Sequence, residues 1–319
     1  MLNKKKPGKI DIEITPVGFG VLTIGKAQLN HPIKVGAELL EYALKKGINL
    51  IDTAQYYETY PYIKEALRSA TRAPVIISKC LSPGYEEMKY AVEEARLETD
   101  RDFIDIFLLH EVRSDFDLSC RRGAWEYLLE AKAKGLVKAV GLSTHHVDVA
   151  ESCACMPDID VVFPLINFKS LGIRNGSGPG TKEDMAAAIK RNSEAGKAVF
   201  AMKVFGGGNL TGEYMTALDY VTGLPGVDSV VIGFGSKDEI DRIIEYTQGT
   251  IDREYVPDLR SKKIRIDAGD CEGCGLCIER CPARAISKNI HDKCEVDHSI
   301  CLTCGYCSPV CPVRAIIMF

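Results

Sequence analysis

Nine of the thirteen cysteines in this 319-residue chain fall between Cys271 and Cys311. Two stretches carry eight of them: CEGCGLCIERCPARAI from Cys271 and CLTCGYCSPVCPVRAI from Cys301. Both spell C-x2-C-x2-C-x3-C-P and continue into x-R-A-I, so the segment is an internal duplication. Thiolates at such short, repeated spacing can surround a metal centre, and in a reducing compartment this crowding argues for metal rather than disulfides. Gly273, Gly275 and Gly305 suit a backbone that must bend closely around such a centre. Cys294 lies between the motifs and belongs to neither, so a packing role is expected for it.

The spacing resembles that of bacterial two-cluster ferredoxins, in which the fourth cysteine of each motif, the one before proline, ligates the other cluster. The resemblance implies one [4Fe–4S] cluster on Cys271, Cys274, Cys277 and Cys311. A second would sit on Cys301, Cys304, Cys307 and Cys281. Structural zinc is the alternative, because C-x2-C pairs also make zinc sites. Clusters move electrons one at a time.

The elements that would position such chemistry alternate regularly through the first 250 residues. β-rich runs appear at ITPVGFG, NLIDT, APVIISK, DIFLLH, LVKAVGLS, DIDVVFPLI, KAVFAMKV and VDSVVIG. Helical patterns such as IKVGAELLEYALKKG, YEEMKYAVEEARLE, RGAWEYLLEAKAKG and EDMAAAIKRNSEAG lie between them, several ending on a capping glycine. Eight strand–helix units in roughly 235 residues is the size of a closed (β/α)8 barrel. An open doubly wound sheet is disfavoured, because no G-x-G-x-x-G opens a helix with an acid downstream. The expected fold class is therefore α/β, a (β/α)8 TIM barrel with a small C-terminal α+β ferredoxin-like domain. The expected boundaries are residues 1–248 for the barrel, 249–265 for a linker and 266–319 for the cluster domain.

Chemistry in such barrels gathers at the C-terminal ends of strands. Asp52, Lys79 and His110 end the second, third and fourth β runs, and Tyr57 follows Asp52 by five residues. The segments GINLIDTAQYY, IISK and IFLLH resemble the signature segments of the aldo-keto reductases. GFGVLTIG, which contains Gly20, and GLVKAVGLSTH are similar to two more, and the resemblance spans about residues 8–248. It implies a carbonyl/alcohol oxidoreductase with Tyr57 as proton donor, Lys79 lowering the tyrosine pKa, Asp52 pairing with Lys79, and His110 orienting the substrate oxygen. A free tyrosine titrates near ~10 and is a reluctant acid at neutral pH, whereas an adjacent ammonium favours the phenolate.

The resemblance also implies a nicotinamide dinucleotide, but the contacts depart from the family pattern. The family's serine–asparagine pair is Ser143-Thr144 here, its glutamine falls at Phe163, and its stacking tyrosine falls at Met202 beside Lys203. Gly233, Phe234, Gly235 and Ser236 at a helix start can cradle phosphate with backbone N–H groups. Glu239 aligns with the family's 2′-phosphate arginine, so NADH is expected over NADPH unless Lys237 compensates. A flavin is the other candidate, because clusters exchange single electrons. Glu111 and Arg113 are candidate pocket residues, Arg113 for a carboxylate or phosphate. Cys153 and Cys155 are expected in the outer helical ring, His145 and His146 in a loop, and SLGIRNGSGPGTKED as a mobile loop over the mouth.

Composition adds bounds. The chain is 46% hydrophobic and 26% charged with net charge −4, so neither a nucleic-acid footprint nor a membrane span is expected. The start, MLNKKKPGKI, has no apolar run behind it, so a signal peptide is not expected and a cytoplasmic location is. Expected partners are a small-molecule carbonyl or alcohol substrate and a redox partner protein. Two rival readings are an electron carrier whose barrel is a docking scaffold, and clusters that serve only as struts. The linker after residue 248 is long enough to return the cluster domain to the catalytic mouth, and docking there is expected over a flexible tether.

Overall fold

The computed structural model describes residues 2–70, 72–258, 263–302 and 305–319. Cys304, an expected cluster ligand, lies outside the described residues. Eight parallel strands close a barrel: β1 Val17–Gly20, β2 Leu50–Asp52, β3 Val75–Cys80, β4 Ile104–Leu109, β5 Val137–Thr144, β6 Val161–Pro164, β7 Ala198–Ala201 and β8 Ser229–Ile232. Each overlaps one of the eight β-rich runs, with β3, β4 and β5 reaching one residue beyond theirs, at Cys80, Ile104 and Thr144. Helices α1 Ile33–Lys45, α2 Tyr60–Leu67, α3 Tyr85–Thr99, α4 Asp115–Cys120, α5 Arg122–Ala133, α6 Val147–Cys153, α7 Lys182–Glu194, α8 Tyr214–Thr222 and α9 Lys237–Gln248 lie between and after them.

Strands buried on both faces need apolar residues at nearly every position, which is why these runs show little alternation. The inward set, including Leu50, Val75, Ile77, Ile106, Leu108, Val161, Phe163, Phe200 and Val231, forms its own cluster inside the barrel. The outward set, including Ile51, Ile76, Phe107 and Leu109, joins Leu40, Val92 and Leu128 of the helices in a larger layer. Lys5 and Ile14 exchange backbone hydrogen bonds of 3.0 and 2.9 Å, and this hairpin sends Ile12 and Ile14 into the inner cluster. One end of the barrel is thereby plugged with side chains.

Side chains alternate along a strand, so inward parity can be carried up to the other end. It runs Leu50 to Asp52, Ile77 to Lys79, Leu108 to His110, Gly141 to Ser143, Phe200 to Met202, and Val231 to Gly233. Asp52, Lys79 and Ser143 are inward positions at the ends of their strands, and His110, Met202 and Gly233 are the next inward positions just beyond theirs.

The cysteine-rich segment forms two small antiparallel ladders, β9 Ile264–Ile266 with β12 Ile316–Met318 and β10 Ile286–Lys288 with β11 Cys294–Val296, plus the short helix α10 Leu276–Arg280. It packs around Ile264, Ile266, Ile286, Ile316 and Cys271, Cys277, Cys294 and Cys307. β9 begins inside the span read as linker. The preceding residues are tied to the helical ring: Ile251 is buried, Arg253 pairs with Asp219, and Tyr255 meets Tyr214 edge-on at 5.3 Å.

This unit sits on the catalytic mouth, the face expected from the linker. Met318 N–H donates to Gly207 O at 2.8 Å and Asn209 Nδ2 to Ile316 O at 2.7 Å, both on the loop after β7. Arg265 donates to Ala27 O after β1, and Arg174 pairs with Glu272 at 3.7 Å. The loop read as mobile contributes Arg174 through a two-residue ladder, Arg174–Asn175 with Gly178–Pro179. Among the described residues, no helix is long and apolar enough to cross a membrane.

Candidate active site

The strand ends bring Asp52, Lys79 and His110 together, and the turn after β2 adds Tyr57. That turn, Gln55–Tyr57, is one short 3-10 helix, and the Thr53 and Thr59 hydroxyls close it with a 2.7 Å hydrogen bond. The Tyr57 hydroxyl lies 3.3 Å from His110 Nε2, with the rings edge-on at 5.5 Å. Lys79 is 1% exposed, donates to Asp52 Oδ1 at 2.5 Å and Thr53 O at 2.8 Å, and sits 5.1 Å from the centre of the Tyr57 ring.

Electrostatics corrects one expectation. Lys79 was expected to lower the Tyr57 pKa, yet burial, reinforced by Asp52, Glu111 and Asp270, pushes Tyr57 well above 10, and only Arg314 pulls it down. The ammonium is spent on Asp52 and Thr53 and lies against the ring face. Burial also lowers Lys79 against the upward pull of Asp52, and it raises Asp52 against Lys79. Burial, with Lys79 nearby, drives His110 well below 6.5. At neutral pH the mouth therefore holds a protonated phenol beside a neutral imidazole.

A positioning residue was missed in the sequence. Arg121, buried at the α4/α5 junction, donates to Ser82 O at 3.1 Å, His110 O at 2.9 Å and Cys80 O at 2.8 Å. One guanidinium thus gathers the chain as it leaves β3 and β4, which fixes where His110 points. In the sequence it looks like an ordinary basic residue at a helix start.

The nucleotide candidates are placed less openly. Ser143 Oγ accepts from Glu111 N–H at 2.9 Å, while Thr144 Oγ1 donates to Val112 O at 2.7 Å and accepts from His146 N–H at 2.9 Å. These hydroxyls bind the loop after β4. Met202 and Lys203 follow β7, and burial, with Arg314 nearby, lowers Lys203 to about 8. Gly20 ends β1 beside Gly233, and Ser236 caps α9 through Glu239 N–H at 3.2 Å. Glu239 Oε2 accepts from Gly235 N–H at 2.6 Å, so a carboxylate occupies one donor of the phosphate cradle. Lys237 lies 5.3 Å from the Tyr42 ring centre. Cys153, the last residue of α6, is buried as expected of the outer ring, whereas Cys155, just past that helix, is exposed.

The cysteines present fit iron–sulfur centres. Backbone N–H groups donate to three of the sulfurs: Gly273 and Cys294 to Cys271 Sγ at 3.4 Å each, Ala285 to Cys281 Sγ at 3.3 Å, and Ala315 to Cys311 Sγ at 3.2 Å. Such bonds stabilise cluster thiolates and tune their potential. Cys271, Cys277 and Cys311 lie close enough to influence one another, Cys294 joins them, and burial raises the Cys277 thiol to about 12. Cys281, Cys301 and Cys307 line a separate hollow with Pro282, Ile286 and Val296. Cys311 thus groups with cysteines of the first motif, and Cys281 with those of the second. Cys274 is exposed. Among the described residues no three His, Cys, Asp or Glu side chains meet at one metal ion; the thiolates of a cubane bind separate irons and need not meet at a point.

Between barrel and cluster unit lies a cleft of about 290 Å³. It is lined by Glu111, Arg113, His145 and Arg174 from the barrel and by Asp270, Cys271, Glu272 and Lys293 from the cluster unit.

Solved structures share this fold. The aldo-keto reductase AKR11C1 from Bacillus halodurans superposes with a TM-score of 0.63 at 17% identity, covering 81% of this chain and 99% of that one. The uncharacterized oxidoreductase YqkF of Bacillus subtilis is 23% identical over 158 residues, 45% of this chain and 49% of its own length. D-arabinose 1-dehydrogenase of Saccharomyces cerevisiae is 22% identical over 223 residues, 64% of this chain and 66% of that one. The chain spans half or less of the curated relatives it matches first. Residues 264–287 match a 4Fe-4S binding domain. Residues 16–220 match the aldo/keto reductase family, and with the barrel and its strand-end residues in place the chain belongs to that family.

Proposed function

We propose that the protein is a cytoplasmic iron–sulfur oxidoreductase acting on a carbonyl/alcohol pair. Two [4Fe–4S] clusters would exchange electrons with a bound cofactor or a redox partner protein. The observation that carries this reading is the Tyr57 hydroxyl 3.3 Å from His110 Nε2, in a mouth roofed by the cysteine-rich unit.

Tyr57 serves as the proton donor. Its phenol keeps its proton at neutral pH, and a substrate oxygen gaining negative charge is the base that draws on it. With Nε2 carrying the hydrogen, neutral His110 donates to the same oxygen, so two donors converge where charge develops. Asp52 holds Lys79 against the Tyr57 ring, and the Thr53–Thr59 hydrogen bond fixes the turn. Bound dinucleotide supplies a hydride and bound clusters supply single electrons. Glu239 on Gly235 N–H argues for NADH over NADPH, because a 2′-phosphate would meet a carboxylate there. A flavin would reconcile one- and two-electron transfer, and the nucleotide copurifying with anaerobic protein decides between them.

Iron and sulfide should approach about eight of each per chain. Tyr57→Phe should abolish carbonyl reduction while both clusters keep their spectra. Wild-type turnover in that variant would instead support an electron carrier with a scaffold barrel, the reading favoured by the engaged hydroxyls of Ser143 and Thr144.

A further inference from the structure

The cysteine motifs are duplicated through their x-R-A-I ends, so Arg284 and Arg314 are equivalent residues. Both have positive φ, 53° and 58°. Their surroundings differ completely. Arg284 is exposed, whereas Arg314 is only 3% exposed.

Docking makes the difference. The Arg314 side chain passes between the loops after β6 and β7, where it lies so close to Gly172 and Gly207 that a Cβ on either would approach it to 2.7 and 2.5 Å. Both glycines have positive φ, 78° and 69°, so side chains are disfavoured there twice over. Beyond them the guanidinium bears electrostatically on Tyr57, Lys203 and His145, and it faces Asp270 at 3.5 Å. Nε, Nη1 and Nη2 all lack a hydrogen-bond partner, as does His145 Nε2. The charge is partly met by the Asp270 ion pair at Nη2, but Nε and Nη1 have no acceptor, and leaving buried donors unmet carries a cost that is removed when an acceptor enters.

We propose that Arg314 is the anchor for the substrate's anionic group, and that the substrate class is the oxo or hydroxy carboxylic acids. The guanidinium grips the carboxylate while the carbonyl or alcohol oxygen lies at Tyr57 and His110. This rests on the carbonyl/alcohol reading above. The planar fork of arginine matches a carboxylate with two parallel hydrogen bonds. A carboxylate suits the site better than a phosphate, because Asp52, Glu111 and Asp270 face the same space and repel a dianion more strongly. Substrate selection would then reside in the cluster unit rather than the barrel.

The test is equilibrium binding to the full, anaerobically prepared chain at matched iron content, by calorimetry. The probes are 2-oxo acids of three to six carbons, their neutral amides, and inorganic phosphate. The acids should bind more tightly than their amides. Arg314→Gln should weaken the acids by about tenfold to a hundredfold, the range for hydrogen bonds to a charged group, and leave the amides unchanged. Arg314→Lys should recover part of that loss, and Arg284→Gln should change nothing. Because Arg314→Gln could disturb docking, Asp270→Asn gives the opposite arm. It removes the competing carboxylate and should tighten binding of the acids several-fold, a gain that misfolding does not produce. Equal binding of acids and amides, or an acid preference that survives Arg314→Gln, overturns the proposal. Phosphate binding as tightly as the acids overturns the choice of carboxylate. Tyr57→Phe lowers acids and amides alike, since both offer the same oxygen to that hydroxyl, so the acid–amide comparison still reads Arg314; failure of the catalytic reading is seen separately, as turnover that persists in that variant.

Discussion

Asp52→Asn should expose how the site manages its buried charge. Lys79 is 1% exposed and Asp52 7%, and their contact is 2.5 Å. Removing one partner of a buried pair costs about 3–5 kcal/mol, since the other charge is left without compensation. The asparagine keeps the shape, and Thr53 O still accepts from Lys79 at 2.8 Å. Lys79 has one escape, which is to lose its proton. From its ordinary 10.5, that costs about 1.4 kcal/mol per pH unit, roughly 5 kcal/mol at pH 7 and 2 at pH 9. Burial already lowers this lysine, and the substitution removes the chief upward influence. The variant's folded lysine then binds fewer protons than the unfolded one below 10.5, so its stability rises with pH. The deficit relative to wild type should be about 3–5 kcal/mol at pH 7 and shrink by about 1.4 per pH unit towards pH 9.

Urea unfolding followed by the fluorescence of Trp125, the sole tryptophan, reports on the barrel. Asp52→Leu with Lys79→Met should restore most of the stability, because apolar residues often replace a buried pair at no net cost, yet it should not turn over. A deficit under about 1 kcal/mol, or one independent of pH from 7 to 9, would refute the reasoning.

Three further outcomes are expected. Arg121→Met leaves the carbonyls of Cys80, Ser82 and His110 without their donor, and should cost about 3 kcal/mol and lower kcat more than it raises KM, read by urea midpoints and steady-state kinetics. Stability should fall as pH drops below 6.5, because burial holds His110 and His145 far below that value and the unfolded chain takes up the protons; His110→Gln should flatten the profile. Glu239→Gln should raise affinity for NADPH relative to NADH by about fivefold or more, measured by titration, since it removes a charge facing the 2′-phosphate.

The barrel was legible because its strands are apolar on both faces and its helices carry capping glycines. Asp52, Lys79 and His110 were legible for a different reason. Each stands at the C-terminal end of a β run, in the order the resembled family places its catalytic residues. The influence of Lys79 on Tyr57 was not legible, because sequence order shows neither that Thr53 O also takes the ammonium nor that three carboxylates face the phenol. Arg121 was missed because its acceptors are backbone carbonyls some 40 residues away in sequence, at Cys80 and Ser82, which leave no trace in residue types. Cys294 looked like packing and is buried, yet its N–H also serves Cys271 Sγ. Arg314 was visible only as part of a repeat, and nothing in the repeat distinguishes it from Arg284.

That last pair shows why the cluster unit does not behave as a tethered accessory. A flexible tether needs no shared main-chain hydrogen bonds, yet Met318 N–H and Ile316 O both bond to the loop after β7, and Arg265 bonds to the loop after β1. Those loops form the lip of the mouth, so anything that shifts the cluster unit also shifts the walls around Tyr57. Reversing the dependence, a ligand that bridges Arg314 and Tyr57 joins the two units and stabilises their docked arrangement by mass action. Substrate binding would thereby hold the cluster unit, Cys271 included, on the mouth. In the proposed enzyme, the one-electron and two-electron halves are coupled most tightly when there is substrate to act on.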